Sequence, residues 1–273
     1  MFVNYENKDN QMFRLDKLGG MDYPPHMHKH IEIVYLLEGE ITICIDGKER
    51  LMQTGDASFC FPNSVHSFIS KSKALFYILI VDINLTGDFA GKLLTYTPVY
   101  PFISKEKIRS DVLSCFDTMF SYYDKFFTMD DDVKYNKLAV KGYIQILISR
   151  LMAELELEEA GDASVTVLTK NLLDYIMKNF RNSQLSLKHI AAALNVSVPY
   201  LSNVFSKKIG TNYRDHLNLH RIRYAQRQIT ATEHNITDIA YDSGFEDIRT
   251  FNRAFKKAVG ITPSQFRRSQ IDL

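Results

Sequence analysis

The sequence predicts two domains of different class: an all-β barrel followed by helices over residues 1–159, then an all-α unit over 167–273 with two helix-turn-helix motifs joined by a linker helix. Three observations predict it. Short alternating or apolar runs separated by turn residues fill the stretch from about 20 to 95, apolar spacing becomes helical over about 104–159, and one helical design occurs twice after Val167.

Charge divides along the same line. Of 33 Lys and Arg and 32 Asp and Glu, 16 and 8 lie from Val167 onward, so the C-terminal part is basic while the rest, with 17 against 24, is acidic. A basic unit beside an acidic one points to a polyanion partner for one half. Cys44, Cys60 and Cys115 are odd in number, scattered and without a Cys-x-x-Cys pair, which excludes a disulfide framework or zinc ribbon and suits a reducing compartment. The N-terminal MFVNYENKDNQMFRL has no apolar core for a signal peptide, and the longest apolar run, Ala74–Val81, is too short to span a bilayer. The expectation is a soluble cytoplasmic protein with no membrane partner.

In the barrel region Glu38-Gly39, Asp46-Gly47, Thr54-Gly55-Asp56 and Pro62-Asn63 mark turns between strands, and ALFYILIVDI reads as a strand buried on both faces. His26, His28, His30 and Glu32 share sequence parity, so on one extended strand all four project to the same side. The spacing Gly20-x5-His26-x-His28-x3-Glu32-x6-Gly39 resembles the first motif of the cupin superfamily of small β-barrels, whose His-x-His and Glu hold a divalent metal. The second motif is matched by Gly55, Pro62 and His66, with Ser64 where the family usually has glycine and an interval one residue short. His26, His28, Glu32 and His66 have the chemistry to ligate iron, zinc or manganese. The same side chains can line a pocket for a hydroxylated small molecule. The incomplete second motif favours the pocket: a ligand-binding set with no metal and no cofactor.

Ile108, Val112, Cys115-Phe116 and Met119 form one helical stripe, and Val140, Ile144, Leu147, Leu151 and Leu155 form another, with Gly142 inside it. Both suit core packing on the barrel, and the near-heptad spacing of the second also suits a homodimer seam. Periodicity is lost over Glu156–Ser164, which places a linker at 160–166. Leu168, Leu172, Ile176 and Phe180 then open the basic unit with an amphipathic helix.

Ile190-Ala191 recurs as Ile239-Ala240 after 49 residues, and Leu201, Phe205 and Gly210 recur as Phe251, Phe255 and Gly260 after 50. Ser186 and Ser197 are N-caps in the first copy, Pro199 sits in the first turn of its second helix, and Asn195 takes the turn position that Gly244 holds in the second copy. Two copies are too few for a solenoid and suit a reader of two successive major-groove faces. Inward-facing Leu201, Val204, Phe205 and Ile209 leave Pro199, Tyr200, Ser202, Asn203, Ser206 and Lys207 outside; Phe251 and Phe255 leave Ile248, Arg249, Asn252, Arg253, Lys256 and Lys257 outside. Arg249, Asn252 and Arg253 have the donor geometry to read guanine or adenine edges, and the lysines suit phosphate. The joining stretch Asn212–Thr230 is helical, with Leu219, Ile222, Ala225 and Ile229 along one side. A rigid helix there fixes the separation of the two reading helices, to be matched to a DNA turn of roughly 34–36 Å.

The C-terminal unit resembles the DNA-binding domain of the AraC/XylS family of bacterial transcription regulators. The resemblance lies in LSLKHIAAALNVSVPYLSNVFSKKIG, in Arg221-x3-Ala225, and in the G-F, F-x-R-x-F-K and G-x-T-P-x-x-F-R elements of ITDIAYDSGFEDIRTFNRAFKKAVGITPSQFR. A cupin-like barrel followed by helices is a common N-terminal partner in that family, where it resembles a sensor and dimerisation domain. The resemblance implies base-facing roles for Pro199, Ser202, Asn203, Arg249, Asn252 and Arg253. It also implies promoter DNA and RNA polymerase as partners, a homodimer, and activation in response to a small, sugar-like effector. Asn195 and Asn252 depart from the usual glycine and serine, which bears on the target sequence and not on the class. The reading taken is a non-enzymatic regulator. Its rival is a metal-dependent cupin oxygenase or isomerase that uses His26, His28, Glu32 and His66 and is tethered to DNA.

Overall fold

The computed structural model describes residues 13–20, 22–70, 74–126 and 132–271, so most of the N-terminal stretch weighed for a targeting signal lies outside the described residues. The chain divides into Met1–Ala163 and Ser164–Leu273.

The first unit is built on β1 (Phe13–Gly19), β2 (Tyr23–His26), β3 (Ile31–Glu38), β4 (Glu40–Ile45), β5 (Lys48–Gln53), β6 (Ala57–Cys60), β7 (His66–Ile69), β8 (Leu75–Val81), β9 (Tyr96–Pro98) and β10 (Phe102–Ile103). They pair antiparallel in two sheets, ordered β1-β8-β3-β6-β10 and β2-β7-β4-β5, apart from β9, which pairs with β11 (Leu157–Glu159). The barrel is thus a pair of facing sheets, not one closed ladder. Val34, Leu36, Phe76 and Ile78 of the larger sheet meet Ile41, Ile43, Ile45, Met52 and Phe68 of the smaller one in a buried interior. Hairpin chemistry sets the register: Asp46 and Gly47 both have positive φ, 48° and 77°, and the two-residue turn pairs Ile45 with Lys48.

The other face of the larger sheet is equally apolar. Ile31 and Ile33 of β3 and Tyr77, Leu79 and Val81 of β8 pack against α2 (Asp111–Phe126) and α3 (Asp132–Met152), which follow a short α1 (Ala90–Thr95). That explains why β8 alternates so weakly. Val112, Cys115, Phe116 and Met119 of α2 and Val140, Ile144, Leu147 and Leu151 of α3 all enter this core. The near-heptad stripe therefore serves packing within the unit. Before the segment expected as linker, Leu157–Glu159 extends as β11; the division between the units falls inside that segment, where α4 (Ala163–Asn179) starts.

The second unit continues with α5 (Leu187–Ala193), α6 (Val198–Val204), α7 (Tyr213–Ala231), α8 (Ile236–Asp242), α9 (Ile248–Val259) and α10 (Pro263–Ile271); a π-helical turn, Phe205–Ile209, extends α6. Ile222, Ala225 and Ile229 of α7 share a core with Ile239, Ala240, Phe245, Phe251 and Phe255. At the start of α7 the buried leucine is Leu217, while Leu219 is only half-buried. The inward face there also takes His216, His220 and Arg221, polar residues that an apolar count passes over.

Candidate functional site

Both reading motifs are made by local rules. Ser186 and Ser197 accept from the amides of His189 and Tyr200, while Asn235 and Asp247 accept from those of Asp238 and Thr250, so each of the four helices begins on a side-chain oxygen. The Asp247 carboxyl also accepts from the Thr250 hydroxyl at 2.8 Å, and these hydrogen bonds hold it below the usual carboxylate range. The turns use Asn195 at φ 54° and Gly244 at φ 91°. Asparagine tolerates the left-handed backbone. At Gly244 no side chain fits, because a Cβ would sit 2.7 Å from the Phe180 carbonyl oxygen and 2.8 Å from that of Arg181.

With Leu201, Val204, Phe205, Ile209, Phe251 and Phe255 buried, Pro199, Tyr200, Ser202, Asn203 and Lys207 are exposed on the first motif, and Arg249, Asn252, Arg253 and Lys257 on the second. Lys257 differs from the others: its Nζ lies 3.0 Å from Asp215 Oδ1 on α7. Asp215 belongs to the cap of α7, where its amide donates to Asn212 Oδ1 and its carboxylate accepts from Asn212 Nδ2. Lys256 is exposed beside it.

In the first unit, His26, His28, Glu32 and His66 come together, each offering one ligand atom, all within 4.8 Å of one another. They do not share one strand. β2 ends at His26 and is paired with β7, placing His26 opposite His66, whereas Glu32 lies on β3 in the other sheet, opposite Cys60. Pro24 and Pro25 cannot donate to a ladder, and the β2–β7 register shifts between Tyr23 and His26. The chain then crosses between sheets through His28. His30, of the same parity, is instead 3.8 Å from Asp82. Ser64 needs no glycine, because the left-handed residue of that turn is Asn63, at φ 63°.

Three backbone carbonyls fix the imidazoles. His26 Nδ1 lies 3.0 Å from the Pro24 oxygen, His28 Nδ1 3.1 Å from that of His30, and His66 Nδ1 3.0 Å from that of Ser64. A carbonyl only accepts, so each Nδ1 carries a proton and each Nε2 is left to face the cluster. His28 Nε2 is 3.3 Å and His66 Nε2 3.5 Å from the Glu32 carboxylate. Glu32 Oε1 and His66 Nε2 are buried with no hydrogen-bond partner. Burial raises the Glu32 carboxyl, yet His66 and His28 bring it well below the usual range. Burial lowers His26 well below an ordinary imidazole, with the neighbouring His66 adding to it. Burial also opposes charge on His66, but the Cys60 sulfur and Glu32 carry it well above that value.

Glu32 Oε1 and His66 Nε2, buried without a hydrogen-bond partner, fit a divalent cation that displaces the His66 proton, and the imidazole-carboxylate donor set is right for zinc, iron or manganese. The geometry brings together the four residues on which both the pocket and the metal reading of the sequence rest. Cys60 was missed: the β3–β6 register places it opposite Glu32 and its Sγ lies 3.2 Å from His66 Nδ1, neighbours that no sequence motif marks.

A helix-turn-helix domain family matches residues 190–269, and a cupin domain family matches residues 15–82. The Msm operon regulatory protein of Streptococcus mutans is 24% identical over 250 residues, covering 91% of this chain and 88% of that protein. An uncharacterized HTH-type transcriptional regulator of Staphylococcus aureus is 29% identical over 140 residues, 50% of this chain but 19% of that longer protein. Among solved structures, apo ToxT from Vibrio cholerae aligns over 95% of this chain and 98% of its own with a TM-score of 0.52 and 13% identity, a likeness of fold alone. Fatty-acid-bound ToxT aligns over 94% and 95% with a TM-score of 0.51 and 14% identity. Among the described residues no helix is long and apolar enough to cross a membrane. The chain pairs a duplicated, capped helix-turn-helix domain at one end with a cupin domain at the other and is similar to HTH-type transcription regulators.

Proposed function

We propose that this regulator reads a bipartite promoter site with α6 and α9 and adjusts that reading to occupancy of the His26–His28–Glu32–His66 pocket. Pro199, Ser202 and Asn203, then Arg249, Asn252 and Arg253, supply base contacts, and Tyr200, Lys207 and Lys256 hold the backbone. Lys257 reaches phosphate only by leaving Asp215. The protein acts in the cytoplasm as a homodimeric, non-enzymatic activator that contacts RNA polymerase, and its effector is a small hydroxylated molecule of sugar-like chemistry.

The observation that carries the sensor reading is the convergence of four ligand atoms, three of them on buried residues, within 4.8 Å. His26, His28, His66 and Glu32 would hold a divalent ion, which when bound supplies a Lewis-acidic centre for hydroxyl or carboxylate oxygens. The residues' own part is orientation: backbone carbonyls set the tautomers, and the surrounding β-sheets exclude water. Occupancy changes DNA binding only if one conformation of the unit binds the effector better than another.

The test is a thermal-shift screen of the full chain against sugars, sugar phosphates and zinc, manganese or ferrous ions, followed by DNA binding to duplexes selected from a random pool. A ligand specific to the folded state raises the melting temperature. A sugar-dependent rise that His66→Ala abolishes, with a matching change in DNA affinity, supports the reading. Stoichiometric metal with substrate turnover and no effect on DNA would transfer the barrel to the enzymatic rival.

A further inference from the structure

A reader of two boxes needs its two reading helices at a fixed separation. The covalent path between them runs through α7, whose later turns belong to the core of the second motif. The first motif meets the start of α7 through Phe205, whose ring faces Tyr213 and His216. Arg221 ties the segment leading into that motif to the later turns of α7. It is 7% exposed; its Nε donates to the Phe180 carbonyl and its Nη2 to the Asn182 carbonyl, both at 2.8 Å. Its guanidinium also stands 5.5 Å from the centre of the Phe245 ring, in the turn of the second motif.

The segment it grips leads into the first motif and is bound on every side. The Phe180 and Arg181 carbonyls press on Gly244. Arg181 Nε donates to the Asp242 carbonyl at 2.8 Å, and Gln184 Nε2 to Glu246 Oε1 at 2.6 Å. Gln184 accepts from His189 of α5 through its carbonyl, while Tyr213 of α7 donates to the Leu185 carbonyl at 2.7 Å. One short bracket, residues 180–185, thus touches both motifs and the helix between them.

A buried charge satisfied by neutral carbonyls is a poor source of net stability, since an apolar side chain of similar volume often does as well or better. What arginine adds is a planar fork that fixes two acceptors in distance and direction, which lysine cannot do. We infer that Arg221 is a positioning residue that sets the separation of α6 and α9, and hence the spacing between the two DNA boxes the chain accepts. This rests on the bipartite reading above.

The test uses the full chain and duplexes selected by the wild type from a random pool, with one or two base pairs then inserted between the boxes, alongside single-box duplexes. The wild type is expected to lose roughly tenfold or more on insertion, because both motifs no longer engage together. Arg221→Met is expected to bind single boxes as the wild type does, to lose roughly tenfold at the native spacing, and to show a flattened spacing profile. Arg221→Lys is expected to fall with it. A wild-type spacing profile in either variant overturns the inference, as does an equal loss on single- and double-box DNA. A readout independent of DNA is the distance between spin labels at Ser202→Cys and Asn252→Cys in a Cys44→Ser background. It should be narrow with Arg221 and broad with Met at unchanged melting temperature. An unchanged distribution would sink the proposal even if the selected DNA proved wrong, whereas failure of the wild type to select any duplex would sink the bipartite reading.

Discussion

Two glycines after helices show how differently one residue type is used. Gly244 and Gly260 both have positive φ, 91° and 85°, but only Gly244 faces carbonyls that a Cβ would strike; around Gly260 the space is open. Gly244→Ala is expected to cost at least ~3 kcal/mol, because neither backbone can yield. Gly260→Ala should cost only ~1–2 kcal/mol of left-handed strain, and urea unfolding midpoints would rank the two. At the same scale, Arg253→Ala should reduce discrimination among DNA sites by ~1–3 kcal/mol, whereas Lys256→Ala should weaken all duplexes alike and flatten the salt dependence. Equal effects on selected and random DNA would refute this division of roles. The exposed faces of α6 and α9 were legible because apolar residues at helical spacing define their complement. The pairing of Lys257 with Asp215 was not, since it joins residues on different helices.

Among the elements, α7 carries the clearest titration. His216 and His220 face each other with Nε2 atoms 3.2 Å apart, so one ring must donate and the other accept. Burial, then His220, lowers His216 well below its ordinary value; burial, then Arg223, takes His220 down to about 4. The unfolded chain, with histidines near 6.5, therefore binds more protons than the folded one at intermediate acidity. Their contribution is complete above pH ~6.5 and is lost as pH falls toward about 4, at up to ~1.4 kcal/mol per pH unit for each proton. Replacing His220 with Gln should shallow the acid limb of a stability–pH curve, and a limb of unchanged slope would refute it. The helix was legible in its apolar residues but not in this pair, because histidines inside a basic helix read as surface. The crossing at His28 escaped for a related reason: even parity from His26 to Glu32 continues unbroken across a change of sheet.

For the whole molecule, the change from alternating to helical spacing exposed the two-unit organisation, and the repeated apolar positions exposed the duplicated motif. The strand spacing suited a sandwich or a barrel alike, because ladder closure depends on partners far apart in the chain, and strand β11 did not show because three residues have no period to detect. The uneven charge predicts a steep salt dependence, log affinity falling with a slope near −0.9 per phosphate neutralised. Titration of DNA binding from low to physiological salt should give a slope equivalent to several contacts, and a flat response would contradict a basic DNA-facing unit.

The carbonyls of Phe180 and Arg181 resting on Gly244 have a kinetic consequence. The turn of the second motif and the lead into the first approach so closely that no side chain fits between them, so undocking the lead removes a partner of both motifs. The repeated motifs, although each resembles a self-contained module, should therefore open as one foldon. Amide hydrogens in the cores of α5 and α9 are expected to exchange through a common event with the same free energy. Separate opening energies for the two helices would show that duplication left them as independent parts.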